Sequence, residues 1–128
     1  MTLPALLFSL VLLLGLAAPS GAVVLATPFL GVGTGQVVTC ALTNTGTSPV
    51  IVTAIELINF VGGDVVPALD NCSGLPALQP RVTCNVTAPV NTDVSCSFDV
   101  KGSKVRAAGI IQAAGSPFTI ADIVPATK

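Results

Sequence analysis

Apolar and polar residues alternate with a period of two in several stretches of this 128-residue chain. In the stretch 37–43, Val38, Cys40 and Leu42 fall on one face, and the residues between them fall on the other. The stretches 82–87, 94–101 and 105–113 repeat the pattern. This period predicts half-buried β-strands, because successive side chains of a strand point to opposite faces of the sheet. No stretch after residue 22 has the 3.6-residue period of an amphipathic helix.

The remaining runs complete a pattern of short strands. In the run 50–60 the apolar residues change parity, which indicates a β-bulge near Thr53 and Ala54 or a strand buried on both faces. A last strand is predicted at 118–124. Clusters of turn-forming residues lie at 44–49, 62–64 and 115–117. About seven short strands with frequent turns predict an all-β fold, an antiparallel immunoglobulin-like sandwich, with a small closed barrel as the alternative.

The chain opens with an apolar stretch, 3–18, that is followed by small residues. This stretch has the length of a signal-peptide core, since a membrane-spanning helix needs about 20 apolar residues. We expect a signal peptide at 1–22, cleavage after Ala22, and a single exported domain at 23–128 in the secreted or periplasmic fraction. A retained N-terminal anchor is the alternative, because no Lys or Arg precedes the apolar stretch. No later stretch is long and apolar enough to span a membrane.

Four cysteines, an even number, are typical of a small exported domain with two disulfides. Their spacing contains no Cys-x-x-Cys, and the chain has no histidine, so a zinc site is not expected. Four cysteines allow three pairings. Cys40 and Cys96 both lie on the apolar faces of predicted strands, which favours a buried bridge between them. Cys72, in the irregular segment 67–80, then pairs with Cys84.

The composition excludes several classes of function. Five Lys and Arg against six Asp and Glu give a formal net charge of −1. The chain therefore lacks the excess of basic residues that is typical of a nucleic-acid-binding protein. The absence of His, Trp and Tyr removes the commonest general base and the usual stacking rings. No residues have the spacing of a catalytic site, an EF-hand loop or a cofactor-binding loop. We therefore expect no enzymatic activity, no metal and no cofactor.

Three basic residues form the candidate binding site that the sequence offers. Lys101, Lys104 and Arg106 lie within six residues of one another and could bind a carboxylate, a phosphate or an anionic polysaccharide. Arg81 joins them if the fold brings it close. The alternative is an ordinary solvated strand face.

Two segments resemble known proteins. The stretch 40–57, with the pattern N-x-G-T-x-P-V-x-V at 44–52, resembles the opening of bacterial immunoglobulin-like modules, including those of the abnormal-spindle type. The stretch 96–107, Cys-Ser-Phe-Asp-Val-Lys-Gly-Ser-Lys-Val-Arg-Ala, resembles a segment of small exported bacterial proteins that have no assigned activity. The resemblance implies an exported β-sandwich without catalytic residues. The pair Cys72 and Cys84 departs from it, since not every immunoglobulin-like module has such a pair.

These observations predict an exported, non-enzymatic binding or structural module that contacts another envelope or secreted protein or a polymer. One alternative is a fimbrial-type assembly subunit, in which the apolar segment 23–30 adds as a strand to the exposed sheet edge of a neighbour. The other alternative is an anion or polysaccharide binder that uses Lys101, Lys104 and Arg106. The sequence leaves the oligomeric state open.

Mass spectrometry of the exported protein tests the cleavage site and the disulfides together. We expect a mass that corresponds to residues 23–128, because the small residues around Ala22 suit signal peptidase. Reduction should add the four hydrogen atoms of two disulfides, since all four cysteines are expected to be paired. A chain that keeps residues 1–22, or a mass that does not change on reduction, contradicts the prediction.

Overall fold

The computed structural model describes residues 22–102, 104–113 and 120–128. These residues form nine β-strands and no helix, so the prediction of an all-β fold is confirmed. The strands in chain order are β1 (Ala22–Ala26), β2 (Gln36–Asn44), β3 (Ile51–Asn59), β4 (Asp64–Val65), β5 (Leu69–Asp70), β6 (Thr83–Pro89), β7 (Val94–Lys101), β8 (Val105–Ala113) and β9 (Ile120–Pro125). The predicted runs correspond to β2, β3 and β6–β9. The additional strands are β1, β4 and β5, of which β4 and β5 have only two residues each, too few for a visible period. Among the described residues, no helix is long and apolar enough to cross a membrane.

The strands of this part of the chain form two antiparallel sheets. Sheet A has the order β1-β7-β3-β4, and sheet B has the order β5-β6-β2-β8-β9. The pairing of β3 with β7 shifts register between Val52 and Ala54, which confirms the predicted bulge. The predicted last strand corresponds to β9, which pairs with β8. The predicted turn at 115–117 lies outside the described residues.

The core lies between the two sheets and is lined by the apolar faces that the alternation predicts. Strand β7 contributes Phe98, the largest fully buried side chain, with Val94 and Val100 on the same face. Strand β2 faces it from sheet B with Val38 and Leu42, which are also fully buried. Burial of one such side chain contributes about 1.5–3 kcal/mol, so these two strands supply a large part of the hydrophobic stabilisation.

Two disulfides link the cysteines in the pairing that strand parity favours. Cys40 on β2 is joined to Cys96 on β7, with a Cα–Cα distance of 5.7 Å, so this bridge connects the two sheets through the core. Cys72 lies just after β5 and is joined to Cys84 on β6, with a Cα–Cα distance of 5.0 Å. The second bridge therefore anchors the irregular segment to the edge of sheet B.

The segment that follows β5 is organised by Asp70. Its carboxylate accepts hydrogen bonds from the backbone N–H groups of Cys72 (2.9 Å) and Ser73 (2.8 Å) and from the Ser73 hydroxyl. Burial raises the pKa of Asp70, but these hydrogen bonds together outweigh it and hold the pKa below its ordinary value. The stabilisation is present above the pKa of Asp70 in the unfolded chain, and it is lost as the pH falls through the lower pKa of the folded protein.

The C-terminal residues close one side of the sandwich. After β9, the N–H of Ala126 donates to the carbonyl oxygen of Ala107 on β8, at 2.9 Å. The next residue, Thr127, exchanges two backbone hydrogen bonds of 2.9 Å with Ala26 on β1. The chain thus crosses from sheet B to the outer edge of sheet A and covers part of the β1 edge.

Removal of each disulfide tests how much the two bridges stabilise the fold. We expect Cys40→Ala/Cys96→Ala to lower the free energy of unfolding by about 4 kcal/mol, because that bridge joins residues 56 positions apart. For Cys72→Ala/Cys84→Ala, with a separation of 12, we expect a loss of about 3 kcal/mol. Urea denaturation measures both values, and each double variant is the control for the other because neither has a free thiol. A larger loss for the shorter loop would contradict the prediction.

Candidate functional site

The turn between β2 and β3 is built around the side chain of Asn44, which is fully buried. Its Nδ2 donates to the carbonyl oxygens of Ser48 (2.8 Å) and Leu78 (2.9 Å). Its Oδ1 accepts the backbone N–H of Gly46 (2.9 Å), the local bond by which Asn and Asp residues commonly shape turns. One side chain therefore holds the turn 45–49 in place and ties it to the segment that contains Leu78.

The turn between β7 and β8 lies against the turn between β2 and β3. The N–H of Thr45 donates to the carbonyl oxygen of Lys104 at 2.9 Å. A Cβ on Gly46 would lie 3.0 Å from the Cβ of Lys104, which is tighter than most Cβ contacts, so a glycine favours the close approach. Gly102 has a φ of 152°, and a Cβ on it would lie 2.8 Å from Cγ2 of Val50. These contacts bring together two turns that are far apart in the sequence.

The two turns enclose a polar groove of about 330 Å³, hereafter the basic groove. It is lined by Asn44, Gly46, Thr47, Ser48, Pro49, Val50, Lys101, Gly102 and Lys104. Two ammonium groups beside two hydroxyls suit an anionic ligand.

The structure divides the predicted basic cluster. Lys101 and Lys104 line the basic groove, whereas Arg106 lies on β8 opposite Thr43 of β2 and lines a separate groove of about 610 Å³. That second groove includes small residues of sheet B, among them Ala41 and Ala108. Arg106 is on the strand itself and projects outward with the even-numbered residues of β8. Its proximity to the lysines in sequence therefore does not place it in their groove.

Arg81 lies at the same end of the molecule as the basic groove. Its backbone N–H donates to the carbonyl oxygen of Asn44 at 2.9 Å, and its φ is 64°. Its side chain does not line the groove.

The turn 44–49 contributes most of the polar lining of the basic groove, although its sequence pattern indicates only a turn. The contact with Lys104 depends on residues far apart in the chain, so no local signal reveals it.

The N-terminal segment, which the fimbrial-type alternative requires, is paired with strand β7 of its own chain. Strand β1 pairs with β7 from Ala22 opposite Lys101 to Ala26 opposite Ser97. Beyond β1, Leu30 continues the contact through a bridge to Val94. The segment therefore covers the edge of β7 from one end of that strand to the other.

Comparison with known proteins informs only the fold. The sequence matches no protein-family model, and no curated protein matches it significantly. The structure is similar to the crystal structure of Thermotoga maritima 1070, with a TM-score of 0.55 and 13% sequence identity. The match covers 84% of this chain and 94% of that chain. At this identity the likeness supports the all-β architecture and carries no information about function.

Replacement of Asn44 tests whether this side chain organises the basic groove. We expect Asn44→Ala to lower the free energy of unfolding by about 2–4 kcal/mol, because it leaves two backbone groups of the turn and the carbonyl oxygen of Leu78 without their partner. Asn59→Ala is the matched control. The Asn59 side chain caps the β3–β4 turn through Val61 and Gly63, where water can replace it, and a loss below about 1 kcal/mol is expected. Equal losses in urea denaturation would contradict the prediction.

Proposed function

We propose that the protein is an exported, non-enzymatic module that binds or supports other components of the cell envelope or the secreted fraction of a bacterium. The observation that carries the proposal is the pair of disulfides, Cys40–Cys96 and Cys72–Cys84. Disulfides persist in oxidising compartments, and small exported domains depend on them for stability. The apolar stretch 3–18 supports the same location as the core of a signal peptide at 1–22.

The proposal includes an immunoglobulin-like topology for the single domain at 23–128. Antibody domains join their two sheets by a disulfide between one strand of each sheet, and Cys40–Cys96 joins β2 and β7 in a comparable way. Strands β6 and β3 flank β2 and β7 in the order expected for that topology. Two positions differ. Immunoglobulin domains place their last strand beside the equivalent of β7 and their first strand beside the equivalent of β2, whereas this chain places β1 beside β7 and β8 beside β2.

A specific observation favours an anionic ligand. Lys101 and Lys104 line the same groove as the hydroxyl-bearing residues Thr47 and Ser48. Ammonium and hydroxyl groups donate hydrogen bonds to carboxylate, sulfate or phosphate oxygens, and the lysine charges attract a polyanion from a distance. The second candidate function is therefore recognition of an anionic envelope polymer by the basic groove. Arg106 is not part of this site.

The fimbrial-type alternative depends on a different surface. The segment 23–30 covers the β7 edge of its own chain, so assembly requires this segment to move to a second copy. The basic groove lies at the turns and does not include any residue of that segment. The two alternatives can therefore be tested separately.

Binding to an anionic polysaccharide tests the role of the basic groove. We expect Lys101→Gln/Lys104→Gln to weaken binding to polygalacturonate about tenfold at low salt, a change of about 1.4 kcal/mol, because two ammonium groups are lost from one site. Arg106→Gln, the matched control, should change the affinity by less than about twofold, since it lines another groove. Isothermal titration calorimetry measures each affinity.

Neutral dextran and added salt complete the test. No binding to dextran is expected, and binding to polygalacturonate should weaken as the ionic strength rises, because salt screens exposed charges. An affinity that is unchanged in the double lysine variant, or that is independent of salt, would exclude the anion-binding function. It would leave the proposal of an exported module intact.

A further inference from the structure

The segment 22–30 is bound to the rest of the domain by backbone bonds and by buried side chains. Leu25 and Leu30 insert into the core, where they are 7% and 2% exposed. Val24, which precedes Leu25 and points to the other face of the sheet, is 58% exposed. The segment therefore contributes an apolar face to the core, as an internal strand does, although it lies at the edge of sheet A.

Thr27 makes the most specific polar contacts of the segment. Its N–H donates to the carbonyl oxygen of Cys96 (2.9 Å), and its Oγ1 accepts the N–H of Cys96 (2.9 Å). Its carbonyl oxygen accepts the hydroxyl of Ser95 (2.8 Å). Three hydrogen bonds thus fix one residue of the segment to β7, beside the disulfide that joins the sheets.

Gly109 provides a socket for the end of the segment. This glycine lies on β8 in sheet B, and a Cβ on it would lie 2.5 Å from Cδ1 of Leu30. The same Cβ would lie 3.4 Å from Sγ of Cys96 and 3.4 Å from Cγ2 of Thr27. The absence of a side chain at this position therefore makes the space that Leu30 fills. The segment contacts both sheets and seals the core between them.

The segment joins the rest of the domain through the glycine-rich connection 31–35, which contains Gly31, Gly33 and Gly35. If signal peptidase cleaves after Ala22, the other end of the segment is a free N-terminus. A strand held by one connection can leave its cleft without threading through the domain. The Cys40–Cys96 bridge joins other strands, so it does not have to open.

We propose that the segment 23–30 exchanges between two copies of this chain, so that each copy fills the cleft between β7 and Gly109 of the other. The proposal rests on the proposed export and cleavage, and it identifies a second copy as the partner. Outside the connection 31–35, the exchanged and unexchanged forms have the same contacts, so concentration decides between them. A short connection keeps the segment near its own cleft at an effective concentration in the mM range, and exchange is therefore expected in concentrated protein.

A cysteine cross-link reports the exchange directly. Val24 lies opposite Asp99 on β7. Ala26 uses both backbone groups for Thr127, away from β7, so the pairs Ala26/Ser97 and Val24/Asp99 are not hydrogen-bonded and have Cα atoms about 4.5 Å apart. This distance suits a disulfide. Asp99 is a favourable position, because its Oδ1 is buried without a hydrogen-bond partner among the described residues.

The experiment mixes two variants of the protein recovered after export, Val24→Cys and Asp99→Cys, at about 1 mM, the effective concentration expected for the connection. Oxidised glutathione accepts the two electrons and two protons released when the bridge forms. We expect a covalent heterodimer with a disulfide between positions 24 and 99, identified by peptide mapping. A mixture of Val24→Cys with Thr83→Cys, an exposed position on sheet B, measures random collision.

Two further variants make the result decisive. Leu30→Ala on the Val24→Cys copy removes the side chain that fills the socket and leaves the acceptor copy intact, so the heterodimer yield should fall several-fold. A single chain with both Val24→Cys and Asp99→Cys should form the bridge internally, which verifies the strand register. If the internal bridge forms but the heterodimer does not exceed the Thr83→Cys control, strand exchange is wrong. Failure of export would instead appear as a chain that retains residues 1–22.

Discussion

The disulfide between Cys40 and Cys96 joins the two strands on which the rest of the structure depends. Strand β2 is paired on both sides in sheet B, and β7 is paired on both sides in sheet A. The bridge therefore links the centres of the sheets and restricts how the chain can separate in the unfolded state. The buried faces of these strands supply Phe98 and Leu42 to the same core. The other strands extend the sheets outward from this pair.

The basic groove illustrates how such a core places a polar groove at its end. Strands β2 and β7 end on the same side of the molecule, so the turns that follow them lie next to each other. The side chain of Asn44 makes three hydrogen bonds within the protein, and Lys101 and Lys104 line the groove beside it. A buried amide group needs hydrogen-bond partners inside the protein, whereas water can solvate an exposed ammonium group.

The N-terminal segment has two physical properties that act in opposite directions. Leu25 and Leu30 bury apolar surface, and Thr27 adds hydrogen bonds, so the segment stabilises the domain. Because it lies at the edge of sheet A and carries no cysteine, it can separate from β7 without the opening of either disulfide. In the proposed exchange, the segment completes its own domain at low concentration and another copy at high concentration.

Alternation by itself determined the positions of the long strands, the bulge near Ala54 and the faces that carry Cys40 and Cys96, because a period of two is a local property of the backbone. It did not determine the partners of β1, the two-residue strands or the separation of Arg106 from Lys104. Those features were decided by the tertiary structure, since each depends on strands that approach from distant parts of the chain. Gly109 is the clearest case. The space above this glycine is filled by Leu30, which is distant in the sequence, so the sequence alone does not show why a side chain is absent there.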